Sequence, residues 1–129
     1  MSERGLADTS VFIARESGRP IDVGAMPHRL AVSVITIGEL RAGVLAATDT
    51  TTRDLRLDTL TAVLALDPIP VDTSVASAWA RLRLALRDVG QQMPVNDSWI
   101  AATAIALDVS VVTQDDDFPD LAELAVIHV

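Results

Sequence analysis

Five acidic residues fall where one edge of a sheet would gather them: Asp8, Glu39, Asp97, Asp115 and Asp117. Asp8 follows the apolar pair Leu6 and Ala7, and Glu39 lies just beyond a β-branched run over residues 30–34. Asp97 opens an apolar helical stretch, and Asp115 and Asp117 follow a second apolar run over 109–113. Carboxylates focused on one edge repel and raise one another's pKa unless something positive sits between them. The 129-residue chain contains no lysine, so a divalent cation is the natural neutraliser. With no cysteine, and with His28 and His128 far apart in the chain, the ligands would be oxygens. Oxygen ligands select hard ions, Mg²⁺ or Mn²⁺, over zinc.

Taken singly, each acid also has a structural reading. Asp8 can cap a helix, with Thr9 or Ser10 as alternates. Thr36-Ile37-Gly38-Glu39 fits a capping box, in which the glutamate only satisfies a backbone donor. Asp97, beside a capping Asn96, is an ordinary first-turn acid favoured by the helix dipole. Asp115-Asp116-Asp117 can be a solvated loop with Asx-turns. Those readings leave the coincidence of the acids unexplained, and the joint pattern favours a metal site.

The elements that must position these acids are legible as alternating strands and helices. A strand ending at residue 7 leads to a helix over 11–16, stopped at Gly18-Arg19-Pro20. A strand over 30–34 leads to a helix from Thr36 that fades at 48–52. Leu57, Leu60 and Leu64 continue on one helical face until Asp67-Pro68. Residues 69–71 read as a short strand. Val75, Trp79, Leu82, Leu86 and Val89 make an amphipathic helix closed by Gly90. Asn96 caps a helix to Leu107, followed by strands over 109–113 and 125–129. Strands apolar on both faces between helices predict a parallel sheet sandwiched by helices.

In such sheets the working edge is where strands end and helices begin. A helix from Asp97 to Leu107 rises roughly 16 Å. The return strand, at about 3.3 Å per residue, covers a similar distance back. Asp97 and Asp115 should therefore finish level, with Asp8 and Glu39 at the same end of their own units.

Composition narrows the function classes. Half the residues are apolar, which excludes a disordered chain. Without lysine or cysteine, P-loop phosphate binding, Schiff-base chemistry, thiol catalysis and cysteine zinc sites are excluded. The N-terminal Met1-Ser-Glu-Arg-Gly lacks an apolar signal run and no stretch reaches membrane-spanning length, so a cytoplasmic location is expected. A net charge of −8 argues against a broad basic nucleic-acid surface. Trp79 and Trp99 fall on apolar helical faces, which favours core packing over base stacking, and the two histidines read as structural or surface residues.

Four stretches together resemble the PIN-domain ribonucleases, in particular the VapC toxins of bacterial toxin–antitoxin pairs. They are Asp8-Thr9-Ser10, Glu39, Asp97-Ser98-Trp99-Ile100-Ala101-Ala102 and Thr113-Gln114-Asp115-Asp116-Asp117-Phe118, in the family's order and spanning essentially the whole chain as one domain. The resemblance implies a three-layer α/β/α sandwich with a central, mostly parallel sheet, and Mg²⁺- or Mn²⁺-dependent RNA cleavage. Asp8, Glu39, Asp97 and Asp115 match the family's acidic quartet and Asp117 a frequent fifth acid. Thr113 matches a supporting hydroxyl, with Thr9 and Ser10 beside Asp8. One cation would be held mainly by Asp8 and Asp97 with help from Asp115 and Asp117. Glu39 would ligate through water or orient the attacking water. A VapB-like antitoxin and dimers or toxin–antitoxin hetero-oligomers are implied as well.

Local arginines would have to hold RNA. Arg15 and Arg41 lie near the predicted chemistry. Arg81, Arg83 and Arg87 avoid the apolar stripe of their helix, where pairing with Asp88 is the competing reading. The alternatives are a PIN-like module that only binds RNA or protein, and a metal-dependent phosphatase. The phosphatase fits poorly, because those enzymes normally rely on a lysine that this chain lacks.

Overall fold

Apolar side chains alternate to both faces of the strands, which requires a covering layer on each side. The computed structural model describes residues 3–129. The strands are β1 (Arg4–Ala7), β2 (Arg29–Ala31), β3 (Ser110–Thr113) and β4 (Val126–His128). The helices are α1 (Thr9–Ser17), α2 (Val34–Ala46), α3 (Thr50–Leu64), α4 (Thr73–Asp88) and α5 (Val95–Leu107). The sheet runs β2-β1-β3-β4 and every pairing is parallel.

Leu6, Ala31 and Val111 point to one face, where they join Leu82, Leu86, Ile100, Ala101 and Ala104 of α4 and α5. Ala7, Val32 and Val112, each one position further along, point to the other. There they meet Val11 and Phe12 of α1, Leu40 and Val44 of α2, and Leu60 and Val63 of α3. The fold is thus the expected three-layer α/β/α sandwich, built by the period of two along each strand.

From β1 the chain moves to β2 on one side and later returns to β3 on the other. The carboxyl ends of β1 and β3 therefore flank the point where the winding reverses, the crevice in which open α/β sheets bind ligands. Asp8 directly follows β1 and Gln114 directly follows β3.

Several boundaries differ from the sequence reading. The run 30–34 pairs with β1 only to Ala31, because Ser33 already caps α2, its hydroxyl accepting from the Ile35 amide at 3.0 Å. The helix thus begins at Val34, and Thr36 lies inside it, fully buried, rather than capping it. Asn96 does not cap α5 either, since Pro94 occupies that place with its fixed φ and no side-chain cap. Residues 69–71 contribute one parallel bridge, Ser33 with Ile69, because Pro68 and Pro70 flank Ile69 and carry no N–H. On α3 the core face is Leu60 and Val63, while Leu57 and Leu64 are exposed. Val89 lies just past α4 and is exposed.

Gly5 in β1 has no room for a side chain. A Cβ there would sit 2.6 Å from Val112 Cγ2 and 2.9 Å from Pro27 Cγ. Gly5→Ala should therefore cost about 1–3 kcal/mol by overpacking. Urea unfolding would show this as a lower midpoint with an unchanged slope, whereas an unmoved midpoint would mean that Pro27 yields freely.

Candidate active site

Asp8 is 2% exposed, and its carboxylate is fixed from both sides. Oδ1 accepts from the Ser10 amide at 3.1 Å and from Ser10 Oγ at 2.5 Å, while Oδ2 accepts from Thr113 Oγ1 at 2.7 Å. The helix-capping reading of Asp8 is correct as far as it goes: the Ser10 bond is the N-cap of α1. The same two hydroxyls hold the end of β3. The Gln114 amide donates to Ser10 Oγ at 2.9 Å and the Asp115 amide to Thr113 Oγ1 at 2.9 Å. Gln114 Nε2 also donates to the carbonyls of Pro20 and Val129, at 3.1 and 2.7 Å. The start of the acidic loop is thereby tied to both neighbouring segments.

Glu39 is not a capping-box residue. Its Oε1 accepts from Thr9 Oγ1 at 2.6 Å, and Thr9 Oγ1 lies 3.0 Å from Thr36 Oγ1. Its other oxygen is 3.5 Å from Asn96 Nδ2. The Thr36-to-Glu39 spacing disguised this link to α1, because S/T-x-x-E is also what a cap looks like. Asn96, read as a cap, instead joins α5 to Glu39. Thr36 and Asn96 are the site residues that the sequence reading missed. Only their nearness in sequence to Glu39 and Asp97 could have flagged them.

The electrostatics bring the acids together. Asp97, half-buried in the first turn of α5, has its pKa pushed up to about 6. Burial is the largest cause, followed by the charges of Asp8, Glu39, Asp115 and Asp117. Asp8 is raised as well, first by burial and also by Asp115, against the lowering effect of its Ser10 and Thr113 hydrogen bonds. All five sequence-predicted acids therefore share one electrostatic neighbourhood.

A hard divalent ion suits this donor set. Among the described residues, the Asp97, Asp115 and Asp117 carboxylates accept no hydrogen bond, so their lone pairs are open to a ligand. The acids form a neighbourhood rather than a closed shell: among the described residues no three acids or imidazoles stand close enough to clasp an ion as they are.

The basic candidates lie further out. Arg15 sits in the last turn of α1, at the opposite end from Asp8, so its expected place near the chemistry is not met. Arg41 is exposed on α2. Arg83 lies over the Trp79 ring, 4.7 Å from its centroid, and Arg87 is exposed in the last turn of α4. The expected pairing with Asp88 does not occur: among the described residues no ion pair involves Arg81, Arg83 or Arg87. Trp79 and Trp99 stack on each other at 4.3 Å and pack against Val75, Ala78 and Ala102. His28 is exposed, and His128 lies 3.8 Å from Asp116 at the surface.

The PIN-domain family model matches residues 6–124, which takes in every one of these acids. The chain is 48% identical over 125 residues to Ribonuclease VapC5 of Mycobacterium tuberculosis, covering 97% of this chain and 93% of that one. This chain is a PIN-domain protein of the VapC family. Ribonuclease VapC4 of the same organism is 41% identical, with 98% of this chain and 97% of the relative covered. The fold superposes on the crystal structure of VapBC-5, a member of the VapBC family of toxin–antitoxin systems from M. tuberculosis, with a TM-score of 0.90. That match has 44% identity and covers 98% of this chain and 99% of the other.

The raised Asp97 makes a prediction for the chelated protein. Between about pH 4 and 6 the folded chain keeps a proton on Asp97 that the unfolded chain has released, so this group lowers stability as pH rises through that window. Asp97→Asn removes the penalty. Its melting temperature should match wild type near pH 4 and exceed it increasingly up to pH 7. A constant gap across that range would mean that Asp97 titrates normally.

Proposed function

We propose that this chain is a cytoplasmic toxin ribonuclease that hydrolyses RNA phosphodiester bonds with Mg²⁺ or Mn²⁺. The observation that carries the proposal is the convergence of four acids from three other places in the chain, Asp8, Glu39 and the Asp115–Asp117 loop, on Asp97 at the carboxyl edge of the sheet. A fold gains nothing from such repulsion in itself. It is the arrangement expected of a site completed by a cation.

Asp8, Asp97, Asp115 and Asp117 would hold the ion. When bound, it would supply positive charge against the anionic phosphate and acidify a water. The chain's own residues set the geometry. Ser10 and Thr113 hold the Asp8 carboxylate in one orientation, so its position does not depend on the substrate. Thr9 holds one oxygen of Glu39, and the other, which Asn96 Nδ2 reaches only at 3.5 Å, keeps a lone pair to accept a proton from the attacking water. That water adds to phosphorus, the phosphodiester P–O bond breaks, and the products are a phosphate monoester and a free hydroxyl.

A VapB-like antitoxin is the proposed partner, in a toxin–antitoxin hetero-oligomer built on a dimer of this chain. A mostly apolar groove of about 200 Å³ lies between α1, α2 and α3, lined by Ile13, Glu16, Leu40, Gly43 and Arg56. Ile13 at its rim and Leu45 on the next turn of α2 are exposed, at 43% and 77%. That surface suits the apolar face of a partner helix. Among the described residues no helix is long and apolar enough to cross a membrane.

Cleavage of a structured RNA by the purified chain tests the assignment. With Mg²⁺ or Mn²⁺, Asp8→Asn and Asp97→Asn should each cut at least about 100-fold more slowly than wild type, as should wild type in chelator. Full activity in chelator, or in both variants, would remove the mechanism.

A further inference from the structure

Beside the helical turn that carries Asp97 lies a larger groove, of about 910 Å³, between the second half of α4 and the start of α5. Its lining includes Arg83, Arg87, Gln91, Gln92, Met93 and Val95. Ser98, the neighbour of Asp97 in the first turn of α5, also lines it. We infer that this groove seats a single strand of RNA as it enters the acid cluster, with Arg83 and Arg87 holding its phosphates. The inference rests on the nuclease reading and adds the path of the substrate to it.

Charge supports this occupant. At a net charge of −8 the chain repels RNA at long range, and the acid cluster repels phosphate locally. The strand must be held by arginines that the fold has not already used. Arg53 and Arg56 donate to the Ala47 and Gly43 carbonyls, both at 2.7 Å, and Arg29 pairs with Glu3. Arg15, Arg19, Arg41, Arg81, Arg83 and Arg87 have no ion pair among the described residues, and of these Arg83 and Arg87 line the groove. They stand one helical turn apart, with Cβ atoms about 6 Å from each other, so they can meet neighbouring phosphates of one strand.

Arg83 is also oriented in advance. Its guanidinium lies over Trp79, whose opposite face stacks on Trp99 with the rings 2° from parallel. Less side-chain freedom is then lost when the guanidinium grips a phosphate. Trp79 Nε1 donates to Ser98 Oγ at 3.0 Å, which ties the stack to the turn bearing Asp97. The apolar patch of Met93 and Val95 suits unstacked base faces, and the Gln91 and Gln92 amides can meet base edges. An A-form duplex would present phosphates and sugars there instead, so a single strand fits better.

The test is RNA binding by protein carrying Asp97→Asn, which suppresses cutting, titrated with a labelled single-stranded oligonucleotide at several salt concentrations. Adding Arg83→Ala and Arg87→Ala should weaken binding at least about tenfold and make the salt slope shallower by about 1.4. Arg87→Ala alone removes no side-chain hydrogen bond or ion pair among the described residues and should lower the slope by about 0.7. Arg19→Ala, exposed just beyond α1, should change neither quantity. Unchanged affinity and slope in the double variant would overturn the inference. A weaker affinity with an unchanged slope and loss of a dimer in light scattering would overturn it too, assigning the face to a second copy. If wild type cuts RNA and the slope is unmoved, only the groove falls. If wild type does not cut and the slope still drops, the groove stands and the nuclease reading falls.

Discussion

Repulsion among carboxylates at the carboxyl ends of β1 and β3 is the constraint around which this chain is arranged. Asp8 is almost fully buried and Asp97 half-buried, and each feels the charge of Asp115. Left free, such groups would turn outward or take up protons. Asp8 cannot turn outward cheaply, because Ser10 and Thr113 hold its inner side with hydroxyl donors, although these bonds only partly offset burial and its pKa stays raised. Asp97 has no such donors and carries the strain as a raised pKa. This division separates an acid held in a fixed position from one whose charge is still unbalanced.

The surrounding architecture follows from keeping that edge assembled. The hydroxyls of Ser10 and Thr113 join α1 to β3 across more than a hundred residues of sequence, at 3.3 Å from each other. Thr9 and Asn96 link α1 and α5 to Glu39 on α2. Beneath them, fully buried Leu6 and Val111 anchor the two central strands from one face and Val112 does so from the other. The apolar layers set where the strands end. Hydroxyl chemistry then sets where the acids point.

Much of this was legible in the residues. The alternation of apolar runs and amphipathic periods yielded the layered parallel sheet, because burial on both faces leaves an unambiguous pattern. That Asp97 and Asp115 would end near each other followed from helix rise and strand length. What was hidden lies in contacts that periodicity does not encode. Thr36-Ile37-Gly38-Glu39 looked like a local cap, yet Ser33 caps the helix and Glu39 reaches across to Thr9. Asn96 looked like a cap, yet Pro94 precedes the helix and leaves the amide to face Glu39. The stack of Arg83 on Trp79 was equally invisible, since it depends on how α4 turns against α5.

The central claim is that Asp97 sits in a field of other carboxylates that a divalent ion would relieve. Carboxyl carbon NMR of Asp97 across a pH series tests it most directly, first in chelator and then with saturating Mg²⁺. Without the ion the carboxyl should titrate near pH 6, and with it the midpoint should fall below the usual aspartate range. A midpoint near 4 that Mg²⁺ leaves in place would contradict the account.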